Sequence, residues 1–346
     1  MPPGRQPDTA RDTVRNIAGR GPIEFQRLEQ TNPELKRRRP SYPHTSENAW
    51  LTFAMEFSQS VQHLIRHNEP LAPLTWLQIG GAAKLFAEPN SIDELAQLLS
   101  DAQAQSLPVR LLGAGSNILC RDSGFDGLVI SLATAELSRI DIRAPRLIAR
   151  AGAQLNHVIS AAVGAGLSGL EHLAGIPGTV GGGVVSNVGV TNDDIGSHVA
   201  RVTIMDREGQ LSELNREKLQ FGFRRSNLED VIIVEVEFAL EPMDPTELTR
   251  RMQTNWIVKR KSHPPNGTRT VQAFIEPDAA QLADLFDHAD VRGLADGEVC
   301  LSPQFPGYLI VSGHATSDQV LALMERVARA VEIRSGIQLP SPLKIW

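Results

Sequence analysis

Cysteine is scarce in this chain. Cys120 and Cys300 are its only thiols in 346 residues. They are too few and too far apart in sequence for a disulfide framework or a zinc site. No apolar run approaches the roughly 20 residues that a membrane-spanning helix needs. The N-terminus lacks the apolar core of a secretory signal. Positive charge is not in excess: the formal net charge is -6, without the basic footprint of a nucleic-acid binder. Internal repeats are missing as well. These absences lead to the expectation of a cytoplasmic protein with no metal, no membrane and no nucleic-acid partner; they leave the oligomeric state open.

What is present is ordinary for a globular protein. Hydrophobic residues make up 41% and charged residues 21%, and the length is enough for two or three domains with real cores. The first 40 residues stand apart, with nine basic side chains against five acidic ones. Such a segment is expected to be a disordered basic tail over residues 1–45, although "KRRRP" has the charge to touch phosphate or a membrane surface.

Hydrophobic periodicity then sketches the elements. Trp50, Phe53, Phe57, Val61 and Leu64 share a helical face, which predicts a helix over residues 46–68. "AKLFAEP" reads as a strand. "SIDELAQLL" opens with a serine cap and an acid three positions on, the start of a helix. "PVRLLGAG" and "GLVISL" complete a compact β-α-β unit over residues 69–135. Residues 136–243 alternate mainly as strands around one helix, "QLNHVISAAVGAG", which ends in glycine. Residues 244–346 read as three helices and a strand, "GYLIVS". The pattern is α+β.

Three stretches carry chemistry. In "LLGAGSNIL" a strand runs into Gly113, Ala114, Gly115, Ser116 and Asn117; small residues let the backbone approach a pyrophosphate, and successive N–H groups can form an anion nest. The stretch is not a Rossmann fingerprint, because loop and strand follow it rather than a helix. A tight turn is the bland alternative. "GLEHLAGIPGTVGGGVVSNVG" strips side chains from Gly175, Gly178, Gly181 and Gly182 around Ile176, Pro177 and Thr179. Its interleaved Leu173, Val180 and Val184 set it apart from a flexible linker. A helix start within it could face a phosphate, and Ser186 and Asn187 could hydrogen-bond a ring edge. "FGFRRSNLED" presents Arg224 between a loop and a strand, as a surface arginine or a functional one. His172 is expected to pack or cap. Tyr308 is expected in the core, with a diphosphate contact as the alternative. Lys259, Arg260 and Lys261 are expected on a solvated helix face rather than at phosphates.

In this order and spacing, "TWLQIGG", "LLGAGSN", "GLEHLAGIPGTVGG" and "FGFRRS" resemble the UDP-N-acetylmuramate dehydrogenase (UDP-N-acetylenolpyruvoylglucosamine reductase, MurB) family. The resemblance covers residues 63–260 well and 261–346 weakly. It begins just after Met55, which makes that residue an alternative start. It implies an FAD-binding fold of the vanillyl-alcohol-oxidase (PCMH) type in two subdomains, followed by a C-terminal α+β substrate domain. FAD would lie between Gly113–Asn117 and Gly175–Gly182. NADPH would be the reductant and the enolpyruvyl UDP-sugar, a peptidoglycan precursor, the substrate. Arg224 would stabilise charge that develops on the substrate.

The substrate half departs from the family pattern. Matching Phe274 and Pro277 of "TVQAFIEPDA" to the family's segment puts Gln272 where the proton donor stands, Ile275 at its lysine and Glu276 at its asparagine. A primary amide is a very poor acid near neutral pH. The C-terminal glutamate positions fall on Pro340 and Pro342, Phe305 and Gly307 replace a histidine and an asparagine, and Asp290 stands where glycine is usual; Ser302 is kept. The expectation is a flavin-binding member whose family reaction is impaired. The alternatives are a non-catalytic flavin-binding regulatory paralogue and a flavin oxidoreductase acting on another substrate.

Overall fold

The structure is a computed structural model that describes residues 57–190, 193–265, 267–275 and 279–346. The basic tail, Met55, most of the helix expected over 46–68, and Glu276 and Pro277 lie outside the described residues. From residue 57 on, that helix is a single turn, α1 (Gln59–Gln62), and the chain then extends into strand β1 (Arg66–Pro70). The apolar spacing that suggests a helix has another use here: Phe57 and Val61 are buried in the main core while Leu64 and Ile65 pack on its margin. Val61 meets the core from a short turn, so the helical period need not continue.

The first layer combines β1 with β2 (Ala82–Ala87), β3 (Val109–Leu112) and β5 (Phe125–Ser131) in the order β1-β2-β5-β3. Helix α2 (Ile92–Ala104) crosses from β2 to β3, with the Ser91 side chain accepting from the Glu94 amide at 3.1 Å. Its buried Leu95, Leu98, Leu99 and Ala102 form the apolar stripe that seats it. Between β3 and β5 lies the short β4 (Ile118–Leu119).

The second layer is a five-stranded sheet of β6 (Ile140–Arg143), β7 (Arg146–Arg150), β11 (Val199–Met205), β12 (Leu211–Asn215) and β15 (Ile232–Ala239), ordered β12-β11-β15-β7-β6 and antiparallel throughout. Helices α3 (Leu155–Gly164) and α4 (Val180–Val185) join it. Three pairs of two-residue strands punctuate the loops: β8 (Leu167–Ser168) with β16 (Glu241–Pro242), β9 (Gly189–Val190) with β10 (Asp193–Asp194), and β13 (Phe221–Gly222) with β14 (Arg225–Ser226). One core cluster runs through both layers, from Leu85 and Leu128 to Val202 and Phe238.

Helix α5 (Pro245–Ser262) leads into the C-terminal layer, a sheet of β17 (Arg269–Gln272), β18 (Ala295–Asp296), β19 (Val299–Leu301) and β20 (Tyr308–Val311) covered by α6 (Ala279–Ala289) and α7 (Ser317–Ser335). Helix α7 carries a full capping box between Thr316 and Gln319 and ends at Gly336 in the left-handed region. A separate core, with Val271, Phe274, Phe286 and Leu323, holds this layer together. The last strand, β21 (Lys344–Ile345), leaves it and pairs in parallel with β4 of the first layer.

Candidate functional site

A cavity of about 1690 Å³ opens where the three layers meet. Sites for one drug-sized ligand span about 300–1,000 Å³, so this one has room for more. Gly113, Ala114, Gly115, Ser116 and Asn117 line it, as do Gly175, Ile176, Pro177, Gly178, Thr179, Gly181 and Gly182, and Arg224, Gln272 and Pro342 stand on other parts of its wall. Asn187 does not line it.

The first glycine loop is shaped by close approaches. A side chain at Gly113 would come within 2.5 Å of the Thr179 hydroxyl, and Gly115 has φ +63 with its Cα side pressed on the Leu74 carbonyl. Among the described residues, the amides of Ala114, Gly115, Ser116 and Asn117 donate to no protein group, which leaves a row of donors at the cavity wall suited to an anion. Asn117 is also tied to the C-terminus. Its amide nitrogen donates to the Pro342 carbonyl at 2.7 Å, and its carbonyl accepts from the Lys344 amide at 3.1 Å.

The second loop holds α4. Its helix start does not offer free donors: the amide of Val180 donates to Ala153 at 2.9 Å, that of Gly181 to Ala151 at 2.8 Å, and that of Gly182 to the Thr179 hydroxyl at 3.4 Å. The expectation of a helix start facing a phosphate therefore gives way to a helix start anchored on the second layer, because backbone donors buried there need partners. Gly182 is different from its neighbour. An added Cβ at Gly181 would crowd Ala151 at 2.9 Å, whereas at Gly182 it would meet only the Thr179 hydroxyl at 3.5 Å. Packing does not require glycine at 182, and a helix disfavours it; the space it leaves belongs to the cavity. A bare helix face opposite a row of free amides fits a dinucleotide with a flat ring. The residues present are suited to FAD.

Asn187 has another task. It is 2% exposed, and its side chain donates to Asp194 Oδ2 and the Gly222 carbonyl, both at 2.9 Å, while accepting from the Gly196 amide at 3.0 Å. All of this is structural. The asparagine in place of a ring-edge contact clamps the β13–β14 hairpin, and the Ser226 hydroxyl adds a bond to the Val185 carbonyl at 2.8 Å.

Arg224 sits in the two-residue turn of that hairpin, at φ +55. This region is costly for a residue with a Cβ, so the turn stores strain that its clamps must offset. Its Nε is buried with no partner among the described residues. Burial pulls the guanidinium below its usual range. A strained cation at a cavity wall, with no carboxylate partner among the described residues, is arranged for an anion.

More basic groups gather beside it. Lys259, in the last turn of α5, is partly buried and lies 3.5 Å from the place a Gly175 side chain would occupy; Arg260 and Lys261 are exposed. The solvated face expected of this segment therefore omits Lys259. Burial, and then the charge of Arg224, pushes the Lys259 ammonium down to about 8. His263 Nδ1 is 2.8 Å from the Lys259 carbonyl, and its ring meets Tyr308 edge-on at 5.3 Å. Tyr308, expected in the core, instead lines the cavity. Nothing in the local sequence distinguishes it from a core tyrosine; only the strand register does.

The replaced positions are integrated into the fold. The Pro340 carbonyl accepts from the Ile275 amide at 3.2 Å. Ser302 caps the turn before Gly307, accepting from the Phe305 amide at 3.0 Å. Asp290 has φ +53, which explains why glycine would suit it. Cys120 is a buried core residue. His172 and His198 flank the half-exposed carboxylate of Asp193, their ring nitrogens 3.4 and 3.6 Å from its oxygens. No helix among the described residues is long and apolar enough to cross a membrane.

Comparison with known proteins agrees with this architecture. Residues 83–215 match the model of an FAD binding domain, and residues 264–346 match that of the UDP-N-acetylenolpyruvoylglucosamine reductase C-terminal domain. The UDP-N-acetylenolpyruvoylglucosamine reductase of Rhodopirellula baltica is 41% identical over 290 residues, covering 84% of this chain and 95% of that one. The corresponding reductase 2 of Symbiobacterium thermophilum is 34% identical over 82% of this chain and 92% of its own length. The crystal structure of the reductase (MurB) from Thermus caldophilus superposes with a TM-score of 0.67 at 28% identity, covering 82% of this chain and 99% of that one. With an FAD-binding fold, its substrate-domain partner and full-length relatives all in agreement, this chain belongs to the UDP-N-acetylenolpyruvoylglucosamine reductase family.

Proposed function

We propose that the chain binds FAD between its glycine loops and uses NADPH to reduce UDP-N-acetylenolpyruvoylglucosamine to UDP-N-acetylmuramate in the cytoplasm, more slowly than a member with the family's proton donor. The observation that carries this reading is Arg224, held at φ +55 with Nε unpaired at the wall of the cavity. When bound, FAD supplies hydride transfer from NADPH to the β-carbon of the enolpyruvyl group. The amides of Ala114–Asn117 would hold its pyrophosphate, and the bare face at Gly178 and Gly182 its ring. Arg224 would meet the negative charge that develops on the substrate carboxylate, a preorganised role that needs no rearrangement at the moment of reaction. Lys259 adds positive charge on the same wall and favours an anionic ligand. Gln272 cannot deliver the completing proton, and the prolines at 340 and 342 have no carboxyl to assist. General acid catalysis contributes about 10²- to 10⁴-fold, which is the upper bound of the slowing.

The test is direct. The full chain is purified, its visible spectrum recorded, and NADPH then the UDP-sugar added without oxygen. The expected result is a yellow protein that NADPH bleaches and the sugar slowly recolours. A protein that takes up no FAD refutes the cofactor assignment. One that bleaches but never recolours with the sugar refutes the reductase assignment and leaves the regulatory paralogue or another substrate.

A further inference from the structure

Position 272 has no proton to give, and the strand register shows where another acid stands. β17 and β20 are antiparallel, with Gln272 directly opposite Tyr308. Cross-strand partners project from the same face of a sheet, their Cβ atoms about 4.5–5.5 Å apart. Both residues line the cavity, as does Arg224. The Tyr308 ring is braced edge-on by His263, and its hydroxyl donates to no described residue. The hydroxyls of Thr270 and Ser262, which also line the cavity, are engaged. Thr270 donates to the Leu309 carbonyl at 2.6 Å, and Ser262 donates to the Lys259 carbonyl at 3.0 Å.

We propose that Tyr308 is the catalytic proton donor of this chain, acting from the strand opposite the position that has lost one. The role rests on the reductase reading above. Hydride reaches the β-carbon of the enolpyruvyl group, and the electron pair of its double bond moves to the α-carbon, shared with the carboxylate. The O–H bond of Tyr308 then breaks, a C–H bond forms at the α-carbon, and the electron pair stays on the phenolic oxygen until solvent returns a proton. NADPH is the two-electron donor consumed. Burial raises the Tyr308 phenol above its ordinary range, while Arg224 acts in the opposite direction. A phenol so placed holds its proton at neutral pH, as a donor must. A carbanion beside a carboxylate is a far stronger base than a phenolate, so the transfer runs downhill. Arg224 interacts with Tyr308 electrostatically and thus stabilises the phenolate as well as the substrate.

Tyr308→Phe tests this in the flavin-loaded full chain. It keeps the ring and its contact with His263 and removes only the hydroxyl. The expected result is bleaching by NADPH at the wild-type rate, a sugar Kd changed by about twofold or less, and recolouring by the sugar slowed about 10²-fold or more. Adding Gln272→Ser to Tyr308→Phe is expected to recover at least a tenth of the wild-type rate (about 1.4 kcal/mol per tenfold). Recolouring of Tyr308→Phe within about threefold of wild type overturns the assignment while leaving the reductase reading intact. A wild-type chain that binds the sugar and never recolours overturns both. Retained yellow colour reports that the variant is folded; if Tyr308→Phe loses it, the same comparison is made with Tyr308 replaced by 3-fluorotyrosine, whose more acidic phenol must change the pH dependence of recolouring for the assignment to stand.

Discussion

Gly182→Ala separates ligand space from packing. The residue lies inside α4, where alanine is favoured over glycine by about 0.5–1 kcal/mol. Its new methyl group would meet only the Thr179 hydroxyl, at 3.5 Å, an ordinary contact. The flavin-free protein should therefore become slightly more stable, with a melting temperature raised by about 1–4 °C. If a flat ring rests on this face, the same methyl overpacks it. Overpacking costs about 1–3 kcal/mol, which weakens FAD binding by roughly 5- to 150-fold. Thermal melts of the flavin-free protein and fluorescence titration with FAD read the two effects separately. Gly181→Ala is the internal contrast, because its Cβ would press on Ala151 at 2.9 Å, and the flavin-free protein should lose stability. An unchanged FAD affinity in Gly182→Ala, with the stability gain present, would refute the placement of the cofactor against α4.

Other consequences follow from the same geometry. Arg224→Asn places a residue tolerant of the left-handed region at φ +55 and removes an unpaired buried cation; the melting temperature should not fall, while sugar-dependent recolouring slows about 10²- to 10³-fold. A large loss of stability would show that Arg224 is structural. Lys259 makes stability depend on pH. An unfolded lysine titrates near 10.4 and this one near 8, so the cost of its buried charge is present in full below about 8 and is relieved as pH rises from about 8 to about 10. Melting of the flavin-free chain should rise across that window relative to Lys259→Met; a fall would contradict the assignment. Asn187→Ala should cost about 2–4 kcal/mol, since it abandons buried partners on both sides, and denaturant titration with the flavin bound checks it.

Much of the architecture was legible in the chain because it is local. The caps at Ser91 and Thr316, the glycine stop at Gly336 and the alternation of Ile232–Ala239 act within a few residues, and each element formed where its pattern stands. Within the described residues, the spacing of Phe57, Val61 and Leu64 misled for the same reason. Spacing alone does not tell a helical face from a single turn whose flanking apolar residues reach one core. The glycine loops and Arg224 were also legible as candidates, because side chains are missing, or charged, where a backbone turns. Asn187 was not: an amide that clamps three partners and one that faces a ring have the same sequence.

By itself, then, the sequence determined the elements, the two glycine loops and the family, since those depend on local backbone preferences and on ordered motifs. Tertiary structure alone decided which groups share the cavity. Asn117 meets Pro342 across 225 residues, and Tyr308 faces Gln272 only through the register of β17 on β20. Contacts of that range are fixed by the packing of whole layers, and no short stretch of the chain encodes them.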